Sequence, residues 1–215
     1  MDAVSAEDFL KNQIPLAAQA LIPPTLKTAY EAVKLMVRDE PILNVASAED
    51  NRGRLIAWAV DFAFEQLLKT QRWPYEHRWR SFAKPTGRYL EIRLSHSVVT
   101  VSQLADPTKQ PRNVVFREHG RITNAPFFDL KEFDDTRAVQ GVPHFLLIHG
   151  HQTLEFAHLA VPHAIHHRDW IYRTPNLMNL PHIVAESVPQ TEATEFDAAI
   201  VLKEEIEKWR RDNDA

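Results

Sequence analysis

The sequence predicts an α+β domain, and three observations support this prediction. Apolar residues recur at helical spacing through the first 85 residues, strict alternation replaces that spacing in the middle of the chain, and a helical stripe returns near the C-terminus. Helices followed by an antiparallel sheet of hairpins and a final helix make an α+β fold.

The helical portion covers residues 1–85. A short helix is expected near Ala6 to Ala20 with an interruption at Pro15. Pro23-Pro24 is expected to break the chain, and Thr25 can then cap a second helix. The second helix has apolar residues at helical spacing, which indicates that one face is buried.

The longest helix is predicted from Ser47 to about Thr70. Ser47 followed by Asp50 resembles a capping box, the pattern in which a hydroxyl and a carboxylate satisfy the free amides of a helix start. The helix is apolar nearly all round, which predicts a central position in the core.

The sheet portion covers residues 86–162 and is expected to hold about six strands. Arg88 to Leu94 alternates strictly, and Val98 to Leu104 follows after a short polar turn. These two strands predict a hairpin.

Two further hairpins are predicted to turn at His-Gly pairs, where glycine would supply a positive φ. The first joins 113–116 to 121–123 through His119-Gly120, and the second lies in the apolar run Phe145 to Val161 and turns at His149-Gly150.

A proline-rich connection spans residues 163–190, and a C-terminal helix is predicted over 191–211. With 44% hydrophobic and 25% charged residues, the chain of 215 residues is expected to form one domain over residues 1–215.

Composition narrows the function classes. The formal net charge of −4 argues against a globally basic nucleic-acid binder, and the absence of cysteine excludes thiol nucleophiles, cysteine zinc sites and disulfides. Five glycines cannot assemble a P-loop or a dinucleotide fingerprint. The acidic N-terminus and the lack of a long apolar stretch predict a cytoplasmic protein without membrane association.

Seven of the eleven histidines lie between His144 and His167, and this cluster is the first candidate for chemistry. His149 and His151 are two apart, so on an extended strand both imidazoles face the same side, and Glu155 could complete a divalent-metal site across the turn. Alternatively, the chain reverses at Gly150 and His151 is simply exposed.

The spacing His149-x-His151-x-x-x-Glu155 resembles the first metal motif of the cupin family, whose strand residues bind a divalent metal. Pro143 and Pro162 stand where that family has glycines, and the helical first 85 residues differ from a small β-barrel. The sequence is therefore not assigned to the family.

A second possible ligand set follows Pro162, where His163, His166, His167 and Asp169 could converge on a helical turn. The alternative is an exposed polar loop.

Two acidic residues, Asp61 and Glu65, stand four apart on the long predicted helix. With Asp129-Leu-Lys131 they resemble the residues of PD-(D/E)xK nucleases, which gather around magnesium. In that family the acid and the lysine lie on a core strand, whereas Asp129 precedes a polar segment. The alternative is an ordinary pair of Glu65 with Lys69 on the helix surface.

The strongest binding signal is the stretch from Lys69 to Arg93, which holds seven Lys or Arg against two Glu with aromatic residues among them. Cations can bind phosphates and ring faces can stack on unpaired bases. The candidate nucleic-acid-binding residues are Arg72, Trp73, Arg78, Trp79, Arg80, Lys84 and Arg88. The alternative is a helix-to-sheet connection whose aromatic residues enter the core.

The leading functional hypothesis is a non-enzymatic binding or regulatory protein that contacts nucleic acid or an acidic partner through this stretch. The alternatives are a histidine-dependent metalloenzyme, a hydrolase or oxygenase centred on His149, His151 and Glu155, and a magnesium-dependent nuclease-like domain. A further hypothesis is an oligomer or complex subunit that pairs through an exposed hairpin edge.

Overall fold

A computed structural model describes residues 5–82, 87–128, 141–166, 168–180 and 200–208. The predicted α+β class is confirmed, because helices precede and follow a six-stranded sheet. The helices are α1 (Ala6–Gln13), α2 (Leu16–Gln19), α3 (Ile22–Asp39), α4 (Ala46–Glu49), α5 (Arg52–Lys69), α6 (Val115–Ile122) and α7 (200–208). The strands are β1 (Glu76–Ser81), β2 (Arg88–Arg93), β3 (Val98–Leu104), β4 (His144–Gly150), β5 (Ala157–Pro162) and β6 (Trp170–Arg173).

The interruption at Pro15 is confirmed, but two details of the predicted helices are wrong. Pro23 and Pro24 lie in the first turn of α3, where a missing amide proton costs no intrahelical bond, so they begin a helix and do not break the chain. The long helix divides at Asp50 and Asn51 into α4 and α5.

The strands follow one another across the sheet in chain order. All neighbours are antiparallel except β3 and β4, which run parallel with Val98 opposite His144 and Leu104 opposite Gly150. The sheet is therefore mixed, and the expectation of hairpins throughout is corrected at this pair. A parallel pair needs a crossover, and the connection between β3 and β4 contains α6.

The predicted hairpin at His119-Gly120 is wrong, because both residues lie inside α6. This helix packs on the sheet through Phe116, whose ring stacks on Tyr89 of β2 with 4.1 Å between ring centroids. The sheet nevertheless has six strands, because β1 and β6 form its two edges. Neither was predicted, since β1 is mostly exposed and has no apolar alternation.

The hairpin between residues 145 and 161 exists, but its turn is not at His149-Gly150. Both residues continue β4, and the chain reverses over residues 151–156. A Cβ on Gly150 would lie 1.9 Å from the carbonyl oxygen of Thr153, so this glycine allows the turn to fold back against the strand. Among the described glycines, positive φ angles occur instead at Gly87 and Gly141.

The sheet has two differently covered faces. Phe145 and Leu147 of β4 point toward the helical layer and join the main core with α1, α3 and α5. His144, Leu146 and Ile148 point to the opposite face, called the second face below, and α6 lies over part of it. None of the described helices combines the length and the apolar composition needed to cross a bilayer.

Candidate functional site

Three of the seven residues predicted to bind nucleic acid, Arg78, Trp79 and Arg80, lie on edge strand β1. The Nε of Arg78 lies 2.6 Å from the Oε1 of Glu91, and the Nε of Arg80 lies 3.6 Å from Oε2 of the same carboxylate. Because Glu91 is buried beside both guanidinium groups, it neutralises part of their charge.

Two aromatic residues of the stretch have structural contacts. Trp73 is 0% exposed and packs against Phe64 and Tyr75, so it does not offer a ring face to a base. Trp79 is exposed, and its Nε1 donates to Glu65 over 2.8 Å. Arg72 and Arg88 are exposed, and Lys84 lies outside the described residues.

The three residues of the predicted metal site, His149, His151 and Glu155, lie in different environments. His149 is buried at 1% exposure, with its Nδ1 2.8 Å from the hydroxyl of Tyr30. His151 is exposed at the start of the turn, and Glu155 accepts a hydrogen bond from the hydroxyl of Thr153. Among the described residues, no group of three or more His, Asp or Glu side chains is arranged to hold a metal ion. The metal site stays a prediction.

The second histidine set forms a local turn after β5. The Nδ1 of His163 accepts the backbone amides of Ile165 and His166, and the rings of His163 and His166 lie 4.7 Å apart. His167 lies outside the described residues, and the backbone amide of Asp169 donates to the carbonyl of His166.

Of the nuclease-like residues, Asp129 and Lys131 lie outside the described ranges. Glu65 pairs with Lys69 over 3.2 Å, as the alternative interpretation expected, and it also contacts His77. Burial, together with the charge of Glu65, raises the pKa of Asp61 to about 7.

A cavity of about 560 Å³ opens on the second face of the sheet and was not predicted. The segment 109–113, α6, the start of β4 and the chain after β5 surround it. It is lined by Lys109, Gln110, Pro111, Arg112, Asn113, Arg117, Arg121, His144, Leu146, Pro162 and Arg168. We call it the cationic cavity, because five of these described lining residues are Lys or Arg and none carries a carboxylate.

Arg117 is the most constrained cation of the cavity. Its Nη1 donates to the carbonyl of Arg112 and its Nη2 to the hydroxyl of Ser102, both over 3.1 Å. Its guanidinium carbon lies 5.0 Å from the centre of the Phe116 ring. Its Nε is buried without a hydrogen-bond partner in the described structure. Burial lowers the pKa of Arg117 to about 10, so the group remains charged at neutral pH.

Arg121 follows Arg117 by one helical turn and is also held in place. It is 5% exposed, and its Nη1 donates to the carbonyl of Ile165 over 3.0 Å. Because residues four apart lie on the same side of a helix, α6 directs both arginines toward the cavity. Burial also lowers the pKa of Arg121.

His144 forms the floor of the cavity beside α6. Its Nε2 lies 2.9 Å from the hydroxyl of Thr100, and its Nδ1 is buried without a partner in the described residues. A Cβ on Gly120 would lie 2.5 Å from this Nδ1, so glycine allows the helix to approach the imidazole. Burial, together with the charge of Arg117, lowers the pKa of His144 to about 3, and the imidazole is neutral.

Asn124 joins the elements that bound the cavity. Its Oδ1 accepts a hydrogen bond from the backbone amide of His144, and its Nδ2 donates hydrogen bonds to the carbonyls of His144 and Pro162. These bonds attach the end of α6 to the start of β4 and the end of β5. Asn124 is 0% exposed, so its hydrogen bonds are buried and hold these walls of the cavity together.

The charges of the cavity are largely uncompensated. Lys109 pairs with Asp106 over 3.3 Å. No described carboxylate lies within ion-pair distance of the other four cations, which are Arg112, Arg117, Arg121 and Arg168. Positive side chains that converge on one cavity attract anions, and the low dielectric of a half-enclosed site strengthens that attraction.

The sequence contained one signal for these residues. Arg117 and Arg121 have the spacing of two residues on the same face of a helix, but the predicted hairpin at His119-Gly120 placed Arg117 in the turn and Arg121 on a strand. His144 and Ser102 come from strands 42 positions apart, and only the parallel pairing of β3 with β4 brings them to one face.

A comparison with known proteins finds no protein-family model, no curated protein and no solved structure that matches this chain.

Proposed function

We propose that this protein is a binding protein whose ligand is an anion held in the cationic cavity. The observation that supports the proposal most strongly is Arg117, a charged guanidinium whose Nε is buried and has no acceptor among the described residues. A buried donor without a partner costs about 1 to 3 kcal/mol, and more when the group is charged. An anion in the cavity would supply both the acceptor and the opposite charge.

The proposal keeps the predicted anionic partner but changes the surface that binds it. Glu91 of β2 offsets Arg78 and Arg80 of β1, and Trp73, which precedes β1, is buried; both observations argue against a nucleic-acid surface there. In the cationic cavity, four arginines lack a described carboxylate within ion-pair distance. A regulatory role, a cytoplasmic location and an oligomeric state remain predictions of the sequence, and mass measurement in solution would test the last.

The experiment is thermal unfolding in the presence of pyrophosphate, citrate or sulfate at constant ionic strength. An anion that binds only the folded state raises the unfolding temperature as its concentration exceeds Kd. We expect at least one of these anions to stabilise the native protein, and we expect Arg117→Gln to remove that stabilisation.

The matched control is Arg54→Gln, which removes an exposed arginine of α5 outside the cavity. This variant should respond to anions as the native protein does. The proposal is wrong if none of the three anions raises the unfolding temperature, or if Arg117→Gln and Arg54→Gln respond equally.

A further inference from the structure

We infer that the ligand of the cationic cavity is a small molecule that carries a phosphate group, either a phosphate monoester or a diphosphate. This inference rests on the proposed function and adds the chemical class of the ligand. Charge, donor arrangement and cavity size support it separately.

The charge of the cavity exceeds what one carboxylate can balance. Arg112, Arg117, Arg121 and Arg168 contribute four positive charges, and none of them forms an ion pair with a described carboxylate; Glu118 acts on Arg121 only from beyond ion-pair distance. A phosphate monoester carries about −1.5 to −2 charges at pH 7 and three acceptor oxygens, whereas a carboxylate carries one charge and two oxygens. One phosphate group can therefore accept hydrogen bonds from several guanidinium groups at once.

The donors are held in place before a ligand arrives. Ser102 and the carbonyl of Arg112 hold two nitrogens of Arg117, and the carbonyl of Ile165 holds Arg121. Because these bonds fix the guanidinium planes, ligand binding loses little side-chain entropy. Planar, fixed guanidinium groups are the side chains best suited to bidentate binding of phosphate oxygens.

The size and lining of the cavity fit a small molecule better than a polymer. Its volume of about 560 Å³ falls within the range typical of small-molecule sites. Pro111, Leu146 and Pro162 supply apolar surface for the organic part of a phosphate ester. Single-stranded nucleic acid is bound along grooves with free aromatic faces, whereas Phe116 and Tyr89 stack on each other and do not line the cavity.

The test is isothermal titration calorimetry of the full chain with five probes at equal ionic strength. The probes are pyrophosphate, ribose 5-phosphate, ribose, citrate and a short single-stranded DNA without terminal phosphates. We expect pyrophosphate or ribose 5-phosphate to bind at least about tenfold more tightly than citrate, while ribose gives no binding.

Two variants connect the binding to the cavity. Arg168→Gln changes an exposed lining residue and should weaken phosphate binding without a change in folding, and Arg117→Gln should abolish it. Arg54→Gln is the control and should bind as the native protein does.

The outcomes separate this inference from the proposed function. If citrate binds as tightly as pyrophosphate and both lose affinity in Arg168→Gln, the phosphate assignment is wrong and anion binding stands. If the DNA binds and displaces pyrophosphate, the ligand is a nucleic acid and the small-molecule assignment is wrong. If no anionic probe binds, the proposed function is wrong as well.

Discussion

The hydroxyl of Tyr30 lies 2.8 Å from the Nδ1 of His149 and also donates to the carbonyl oxygen of Gly150. A hydroxyl has a single proton, so the bond to Gly150 requires His149 to donate from Nδ1, which assigns the Nδ1-protonated tautomer. The pair fastens α3 to the end of β4 on the helical side of the sheet.

We expect Tyr30→Phe to lower the free energy of unfolding by about 1 to 3 kcal/mol, because the Nδ1 of His149 and the carbonyl of Gly150 would lose their buried partner. Urea denaturation measures this change. The control is Tyr89→Phe, whose ring contacts persist and whose hydroxyl has no partner among the described residues. Equal stability of Tyr30→Phe and the native protein would contradict the proposed role of the hydroxyl.

The path of the chain through Gly150 can be tested by substituting two glycines. Gly150→Ala would place a Cβ 1.9 Å from a backbone oxygen, so we expect a loss of at least about 2 kcal/mol of stability. At Gly53 the nearest atom is the Nε2 of His151 at 2.7 Å, the end of an exposed side chain that can rotate away. Gly53→Ala should therefore be tolerated, since alanine favours the helix. A Gly150→Ala protein as stable as Gly53→Ala would refute this turn geometry.

Two buried histidines should make the protein less stable in mild acid. Burial lowers the pKa of His144 to about 3 and that of His149 to about 4, against 6.5 for an ordinary histidine. At pH values between these lowered pKa values and 6.5, the unfolded chain binds more protons than the folded one. The contribution of these two histidines to stability is therefore greatest above about pH 6.5 and falls as the pH decreases toward 4, by up to about 1.4 kcal/mol per pH unit for each histidine.

Urea denaturation at pH 7.5 and pH 5 measures this dependence. We expect His149→Gln, which keeps a hydrogen-bonding group near Tyr30 but cannot titrate, to lose less stability on acidification than the native protein. His96→Asn, at an exposed position, is the control. A His149→Gln protein with the same acid loss as the native protein would show that His149 does not contribute.

Asp61 should have the opposite effect on the pH dependence. Burial and Glu65 raise its pKa from 3.8 to about 7, so the folded state holds this proton more tightly than the unfolded state. Its contribution to stability is fully present below about pH 3.8 and is lost as the pH rises through 7.

We expect Asp61→Asn to stabilise the protein by about 1 to 3 kcal/mol at pH 8, because it removes a half-buried carboxylate that has no ion-pair partner among the described residues. The gain should shrink at pH 4. Asp50→Asn removes an exposed carboxylate and should change stability by less than about 0.5 kcal/mol. A pH-independent effect of Asp61→Asn, measured by urea denaturation at both pH values, would contradict this account.

Periodicity predicted the elements whose pattern is local. The helical spacing around Pro15 and the alternation of 88–94 and 98–104 correspond to α1, α2, β2 and β3. Periodicity failed to predict the elements whose structure depends on long-range packing. His119-Gly120 has the composition of a hairpin turn, but contacts of Phe116 with Tyr89 and of Gly120 with His144 favour a helix docked on the sheet.

The candidate site could not be predicted from residue spacing for the same reason. Local clustering directed attention to His149 and His151, yet one is buried against α3 and the other is exposed in the turn. The cationic cavity joins Arg117, His144 and Arg168 from distant parts of the chain. Their convergence depends on the parallel pairing of β3 with β4, and this pairing produces no local pattern in the amino-acid sequence.

The most direct test of the anion-binding cavity is the NMR signal of the Arg117 Nε proton, assigned by its absence in Arg117→Gln. A buried Nε proton exchanges slowly with water and should give a separate resonance. We expect titration with pyrophosphate to shift this resonance to saturation while the Nε signal of exposed Arg54 stays unchanged. An Arg117 resonance that does not move at saturating pyrophosphate, citrate or ribose 5-phosphate would contradict the central claim that the cavity binds an anion.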